Sequence, residues 1–311
     1  MSSTSPETPN PLTSLSEHLT ALVAQVESTV VAIRGRSRFP SSGIHWQPGI
    51  IVTSESYLKR SEEFTVILGS DALSARILGR DPSTDVAVLQ MEAPDLPTAE
   101  ISDETSVKVG QLVLALGRSP QDGIMASMGL VGTAGDAWQS RNGGLIDRLI
   151  RPEVNLYPRL FGGSLVDATG KVLGMNTSGP RRSPLTIPAS TISRVVNQLL
   201  EQGQIPRGYL GLGMQPVALP ESLRTNLSLD SEVGILVVSV ESQGPADQGG
   251  VLLGDILLSI DGTFLEDVSD VQRKLVTPNI GQALNVQLIR GGQLVEVTVT
   301  PGERQEKERC C

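Results

Sequence analysis

The sequence predicts a mostly β chain, an all-β barrel or sandwich followed by a smaller α+β module. From residue 28 onward, short apolar runs bounded by turn residues recur at even spacing with no helical period between them. That pattern suits an all-β unit and not a series of βαβ crossovers. After residue 207 the runs continue but alternate with one helical stretch. A length of 311 residues accommodates about two domains at roughly 150 residues each, with core enough to fold without disulfide or metal staples.

Taken in order, Ser14 and Glu17 have capping-box spacing, and Leu15, Leu19, Leu22, Val23 and Val26 share one helical face, predicting a first helix. Strands are expected at 29–33, 49–53, 64–68, 75–78, 86–91, 111–116 and 128–132. Two more, 164–167 and 171–176, flank Ala168-Thr169-Gly170 as a hairpin. Ile192, Val195, Val196, Leu199 and Leu200 then mark a helix with Gly203 as its C-terminal cap. Strands at 234–240, 255–260, 283–289 and 294–300, with a helix around 268–276, make the second module. The expected division is a flexible segment at 1–13, a first domain at 14–203, a linker at 204–207, a second domain at 208–302 and a flexible tail at 303–311.

Composition excludes several functions. The formal net charge of −9 argues against a nucleic-acid or anionic-membrane binder, and Phe 4, Tyr 3 and Trp 2 leave little for base or sugar stacking. No apolar run approaches the ~20 residues of a membrane span. Both cysteines, Cys310 and Cys311, end the chain and read as a reactive pair on a solvated tail rather than a lipidation site. Segment 1–12 has neither a basic start nor an apolar stretch, so the expectation is a cytoplasmic protein unless a leader has been removed. No metal and no cofactor are expected: the two histidines are isolated, and no phosphate-cradling glycine loop occurs. His18 reads as exposed, His45 as structural or surface, and Asp81 as a turn cap.

Specific words then appear. Gly79-Arg80-Asp81-Pro82-Ser83-Thr84-Asp85-Val86-Ala87-Val88-Leu89 resembles the segment bearing the catalytic Asp in the HtrA (Do/Deg) family of trypsin-like serine proteases. The stretch from Ser106 to Gly117, and Gly162-Gly163-Ser164-Leu165-Val166-Asp167 through Gly174-Met175-Asn176-Thr177, are similar to later parts of that family's protease domain. Arg207-Gly208-Tyr209-Leu210-Gly211, Gly244-Pro245-Ala246-Asp247 and Gly254 to Gly262 resemble the PDZ domain that follows it. The resemblance covers roughly residues 14–302 in the family's order. It implies a trypsin-like double β-barrel protease domain followed by an α+β PDZ domain.

The catalytic words depart from the family. Its T-N-x-H-V word places the general-base His where this chain has Ser56. Its G-N-S-G-G word, counted back from Gly162-Gly163, places the nucleophilic Ser at Phe161 and the oxyanion-hole stretch at Arg159, Leu160 and Phe161. Only Asp85 matches the triad. A serine hydroxyl needs an adjacent base and an orienting group, and losing nucleophile or base costs about 10^6-fold in turnover. A substitute triad would require His45 and Ser164 to meet a carboxylate.

In the second domain the resemblance assigns Gly208, Tyr209, Leu210 and Gly211 to the carboxylate-binding loop and Leu212 to the start of the edge strand, with Val271 and Leu275 as pocket residues. PDZ domains add an extended peptide as a strand. The expected function is an HtrA-like pseudoprotease, a peptide- or protein-binding scaffold or regulator. Its partners would be C-terminal or unfolded peptides, and its assembly a homotrimer or a hetero-oligomer with an active relative. The alternatives are an endopeptidase using non-standard residues and a chaperone-like holdase.

Overall fold

The computed structural model describes residues 10–35, 40–58, 61–69, 71–92, 96–102, 107–140, 142–179, 183–203, 208–275 and 280–303. The chain divides into two units, residues 1–138 with 145–205 and residues 139–144 with 206–311.

The first unit opens with α1, Pro11–Val26. Asn10, not Ser14, is its N-cap: the Asn10 side chain accepts from Leu12 N–H at 3.0 Å, and Pro11 takes the first turn. Ser14 already lies inside the helix, its N–H bonded to Asn10 O. Leu22 and Val26 are buried, whereas Leu15 is exposed.

Six strands follow as a closed barrel: β1 Val30–Arg34, β2 Ser41–Gln47, β3 Ile50–Ser54, β4 Glu63–Leu68, β5 Asp71–Asp81 and β6 Val86–Met91, in the order β1-β2-β3-β6-β5-β4. Alternation decides the two faces. Val31, Ile33, Ile51, Ala87 and Leu89 fill the barrel, while Val30, Val52, Val86 and Val88 pack outside it in a second cluster. Both faces are covered, which is why these strands read as unbroken apolar runs.

The second closed barrel is built from β7 Leu112–Ser119, β8 Gly123–Gly135, β11 Leu149–Glu153, β12 Ser164–Asp167, β13 Val172–Ser178 and β14 Pro184–Pro188, in the order β11-β14-β13-β12-β7-β8. Two short strands, β9 Trp138–Gln139 and β10 Leu145–Ile146, pair with each other. The helix α2, Ala189–Gln202, lays Ile192, Val195, Val196 and Leu199 on the cluster outside the barrels. Gly203 caps it at φ 72°. Strands β2, β11 and β14 were not among those expected. Pro152, Pro184 and Pro188 argue against strands locally, and Ser41-Ser42-Gly43 reads as a turn.

The second unit is a six-stranded sheet, β16 Leu212–Ala218, β17 Val233–Val240, β18 Ile256–Ile260, β20 Leu284–Arg290 and β21 Gln293–Val299 in that spatial order, with β19 Thr263–Phe264 paired to β18. A ribbon joins β15 Gly208–Tyr209 to β22 Gly302–Glu303. Three short helices complete it: α3 Glu221–Leu227, α4 Pro245–Gln248 and α5 Val268–Lys274. The core comprises Ile235, Val237, Leu257, Val271, Val286 and Leu288, among others. Asp267 caps α5 in a reciprocal capping box with Asp270. Glu303 belongs to a strand although the tail was expected to start there, and the linker 204–207 and residues 304–311 lie outside the described residues.

Candidate functional site

The segment after β3 and the turn before β6 meet at Asp85. Asp81 accepts from Ser83 N (3.0 Å), Ser83 Oγ (2.5 Å) and Thr84 Oγ1 (2.8 Å), the turn-capping role expected of it. That turn leaves Asp85 in the left-handed region, φ 59°, and aims its carboxylate back at β3. Oδ2 accepts from Ser54 Oγ (2.6 Å) and from Thr177 Oγ1, and Oδ1 accepts from Ser56 N–H (2.7 Å). The Asp85 carbonyl also takes the Glu55 N–H at 3.1 Å. Three donors therefore occupy the carboxylate.

Ser56 is exposed, in a 3-10 turn Glu55–Tyr57. Its neighbour Tyr57 stacks on Phe161, ring centroids 4.3 Å apart and planes 19° from parallel. Phe161 is buried at 8% exposure. Two aromatic rings thus pack face to face, one at the position assigned to the nucleophile and one next to that assigned to the base, a contact worth about 0.5–1.5 kcal/mol beyond the area it buries.

The backbone around Phe161 is held by groups outside the assigned positions. Ser42, fully buried on β2, donates its N–H to Phe161 O (3.1 Å) and its Oγ to Arg159 O (2.5 Å), while accepting Arg118 N–H at 2.8 Å. Its own carbonyl takes Thr53 Oγ1 at 2.6 Å. Gly162 (φ 80°) donates to Asn176 O, and Gly163 accepts from Asn176 N. Neither glycine tolerates a side chain, since a Cβ would fall 2.3 Å from Ser42 O or 2.0 Å from Leu116 O. Arg159 and Leu160 lie in a 3-10 turn, Pro158–Leu160, so Arg159 needs no conformation reserved for glycine. The Arg159 guanidinium turns away to Asp122 and Ser119.

His45 and Ser164 do not form a substitute. His45 is fully buried: Nδ1–H donates to Pro97 O (2.8 Å) and Nε2 accepts Gly49 N–H (3.2 Å). Burial pushes its pKa down, partly offset by the Pro97 bond, so of the two roles expected it has the structural one. Ser164 is fully buried in β12. His18 sits exposed on α1 with Ser14 O. Among the described residues no cluster of His, Cys, Asp or Glu could hold a metal ion. No described helix is long and apolar enough to cross a membrane.

In the second unit β16 pairs, among the described residues, only with β17 and so forms a sheet edge, with α5 beside it. At its start Leu210 O accepts Ala246 N–H (2.9 Å) and Gly211 O accepts Glu241 N–H (2.8 Å). A trans peptide unit points its C=O and N–H in opposite directions, so the Gly211 and Leu212 N–H groups are turned away from Glu241 and Ala246. Two successive amides turned this way at a positive-φ glycine (Gly211, φ 77°) are donors of the kind that can receive a carboxylate. Gly208 N–H reaches Leu275 O at 3.0 Å, tying the loop to the end of α5. Half-buried Leu212, Met214, Val268 and Leu275 border the core there. Val271, expected as a pocket residue, is fully buried and forms part of the core beneath, because it lies on the inward stripe of α5. Sequence reasoning missed Tyr57, Ser42, Ser54 and Glu241; nothing in their spacing signals a contact made across strands.

Comparison with known proteins places both units. Residues 41–175 match the family model of the trypsin-like peptidase domain and residues 208–300 that of the PDZ domain. The chain is 30% identical over 263 residues to the probable periplasmic serine endoprotease DegP-like of Brucella suis, covering 82% of this chain and 50% of that protein. It thus spans about half the length of the curated relatives it matches. Among solved structures, the serine endoprotease from Yersinia pestis matches with a TM-score of 0.68 at 25% identity, covering 96% of this chain and 100% of that one. The HtrA-type protease AlgW with a tripeptide matches with a TM-score of 0.65 at 26% identity, covering 93% and 98%. Two closed six-stranded barrels followed by a PDZ sheet, together with these matches, make the chain a member of the HtrA/DegP family of trypsin-like serine proteases with a C-terminal PDZ domain.

Proposed function

We propose that this chain is a non-cleaving member of its family, a scaffold or regulator that binds extended C-terminal peptides through the PDZ edge strand. The observation that carries the reading is the stacked Tyr57–Phe161 pair beside an Asp85 carboxylate already engaged by Ser54, Ser56 N–H and Thr177. Phe161 has no nucleophilic atom, and a serine hydroxyl at 56 cannot take a proton near neutral pH. Neither histidine is placed to replace the base, since the ring nitrogens of His45 are bonded to Pro97 and Gly49. On the binding side, support comes from the two loop amides turned outward and from the one-sided pairing of β16. The AlgW structure with a tripeptide lends weight to a peptide as the ligand.

The test is casein cleavage and labelling by a serine-directed fluorophosphonate. Wild type, Phe161→Ser and Phe161→Ser/Ser56→His are compared. Wild type and the single variant are expected to be silent, and the double variant to label, because Ser42, Gly162 and Asn176 hold the loop backbone whatever side chain stands at 161. Cleavage by the wild type that survives change at Phe161 would overturn the reading and require another nucleophile.

A further inference from the structure

We infer that Tyr209 and Glu241 form a brace that positions the carboxylate cradle of the PDZ loop, making Glu241 a positioning residue for peptide binding. The inference rests on the peptide-binding reading above. Tyr209 Oη donates to Glu241 Oε2 at 2.6 Å, across 32 positions of sequence. The Glu241 backbone N–H reaches back to Gly211 O at 2.8 Å. The two bonds close a ring through Tyr209, Leu210, Gly211 and Glu241, and the Gly211 carbonyl inside that ring is the one whose capture turns Leu212 N–H outward.

Glu241 is itself fixed. It follows β17, and its carbonyl accepts Gly244 N–H at 2.9 Å in a turn stabilised by Gln243 N–H to Asp247 Oδ2 at 2.7 Å. Gly211 shows how closely the brace lies across the loop. A Cβ there would come 3.1 Å from Glu241 Cβ and 3.3 Å from the Tyr209 hydroxyl. One face of Gly211 is thus covered by the brace, and a carboxylate has to arrive from the other, where the amides point.

The brace also explains how an acidic side chain can stand beside an anion site. The tyrosine hydroxyl holds the Glu241 carboxylate through a charge-assisted bond. A neutral acceptor of the same shape should serve as well or better, whereas removing either partner should free the loop.

The experiment uses the whole chain and a fluorescein-labelled heptapeptide, Gly-Ser-Gly-Ser-Val-Val-Leu, with a free or an amidated C-terminus, read by anisotropy. Wild type is expected to favour the free carboxylate. Tyr209→Phe and Glu241→Ala should each weaken it about tenfold, the size of one charge-assisted hydrogen bond, and narrow the gap to the amide. Glu241→Gln should retain wild-type affinity. Affinities and carboxylate preference within twofold of wild type in both disruptive variants would overturn the inference and leave the peptide-binding reading standing.

A wild type that binds neither peptide would count against that reading instead. Hydrogen exchange of the Glu241 and Ala246 amides, which donate to Gly211 O and Leu210 O, decides the brace independently in the free proteins. Faster exchange in Tyr209→Phe, with an unchanged melting temperature, is expected; equal exchange would overturn the brace.

Discussion

Asp85 provides a quantitative test of what the first unit retains. If its carboxylate acts as a strand clamp, its replacement should be felt in stability, with no enzymatic activity involved. Asp85→Asn keeps one acceptor oxygen, and Asn tolerates the left-handed backbone at φ 59°. It turns the other oxygen into a donor facing either Ser56 N–H or the Ser54 and Thr177 hydroxyls. The expected cost is about 1.5–3 kcal/mol, the range for a hydrogen bond to a charged group.

Asp85→Ala removes all three bonds. Ser56 is exposed and its amide can turn to water, but Ser54 and Thr177 are at 0% and 2% exposure and would be left without an acceptor. Two orphaned hydroxyls at about 1–3 kcal/mol each, with about 1 kcal/mol for alanine in the left-handed region, give about 3–7 kcal/mol. At about 2–4 °C per kcal/mol for a unit of this size, melting should fall by about 10–20 °C.

The assay is urea unfolding followed by tryptophan fluorescence. Both tryptophans, Trp46 and Trp138, lie in the first unit, so the signal reports that unit alone. In a double-mutant cycle, Asp85→Ala and Thr177→Val should couple by about 1–2 kcal/mol, since Asp85→Ala orphans the Thr177 hydroxyl only where that hydroxyl is present. An alanine variant within about 0.5 kcal/mol of wild type, with no coupling, would refute the clamp.

Other consequences can be measured directly. Burial depresses the pKa of His45, so the folded state resists protonation there; stability from this residue is present above about pH 6.5 and is lost as pH falls toward the lowered native value. Urea midpoints of the first unit should drop over that interval in wild type and flatten in His45→Gln. Gly129→Ala should fail to give soluble folded protein, because its Cβ would lie 1.9 Å from Glu153 O between β8 and β11; near-normal yield and tryptophan spectra would contradict this. In the second unit burial raises the Asp255 pKa, but the Arg290 bonds at 2.9 and 2.7 Å and the Leu252 N–H outweigh it and hold the carboxylate below its usual range. That contribution is present above about pH 3.9 and lost on acidification. Arg290→Met should cost about 3–5 kcal/mol by leaving a buried charge unpaired, read by circular dichroism, and should blunt the acid dependence.

Much of the fold was legible. Strand β6 and strand β12 fall where their apolar runs end, and Gly203 caps α2 because the helical stripe stops one turn before it. The reading failed where local chemistry and global role diverge. β2 begins with two serines and a glycine, yet all three are buried, because Ser42 serves as the polar junction between Arg118, Arg159 and Phe161. β14 is bounded by prolines that discourage a strand, but its interior residues pair with β13 from Pro184 to Pro188. Val271 matched a groove position in sequence and lies wholly in the core.

The two-unit order, the apolar runs of both barrels, the glycines after position 161 and the identities at 56, 85 and 161 can all be read along the chain; these are local, since pattern and residue type are carried by neighbours. What surrounds them comes from the folded arrangement. That Asp85 is bound by residues 31 positions before and 92 after it and that Tyr57 stacks on Phe161 depend on strand register and barrel closure, and that Glu241 reaches Tyr209 depends on the register of the second unit's sheet. Such contacts join segments brought together only when the hydrogen-bonded ladders form, and a side chain's partner across a ladder leaves no periodic trace in either segment.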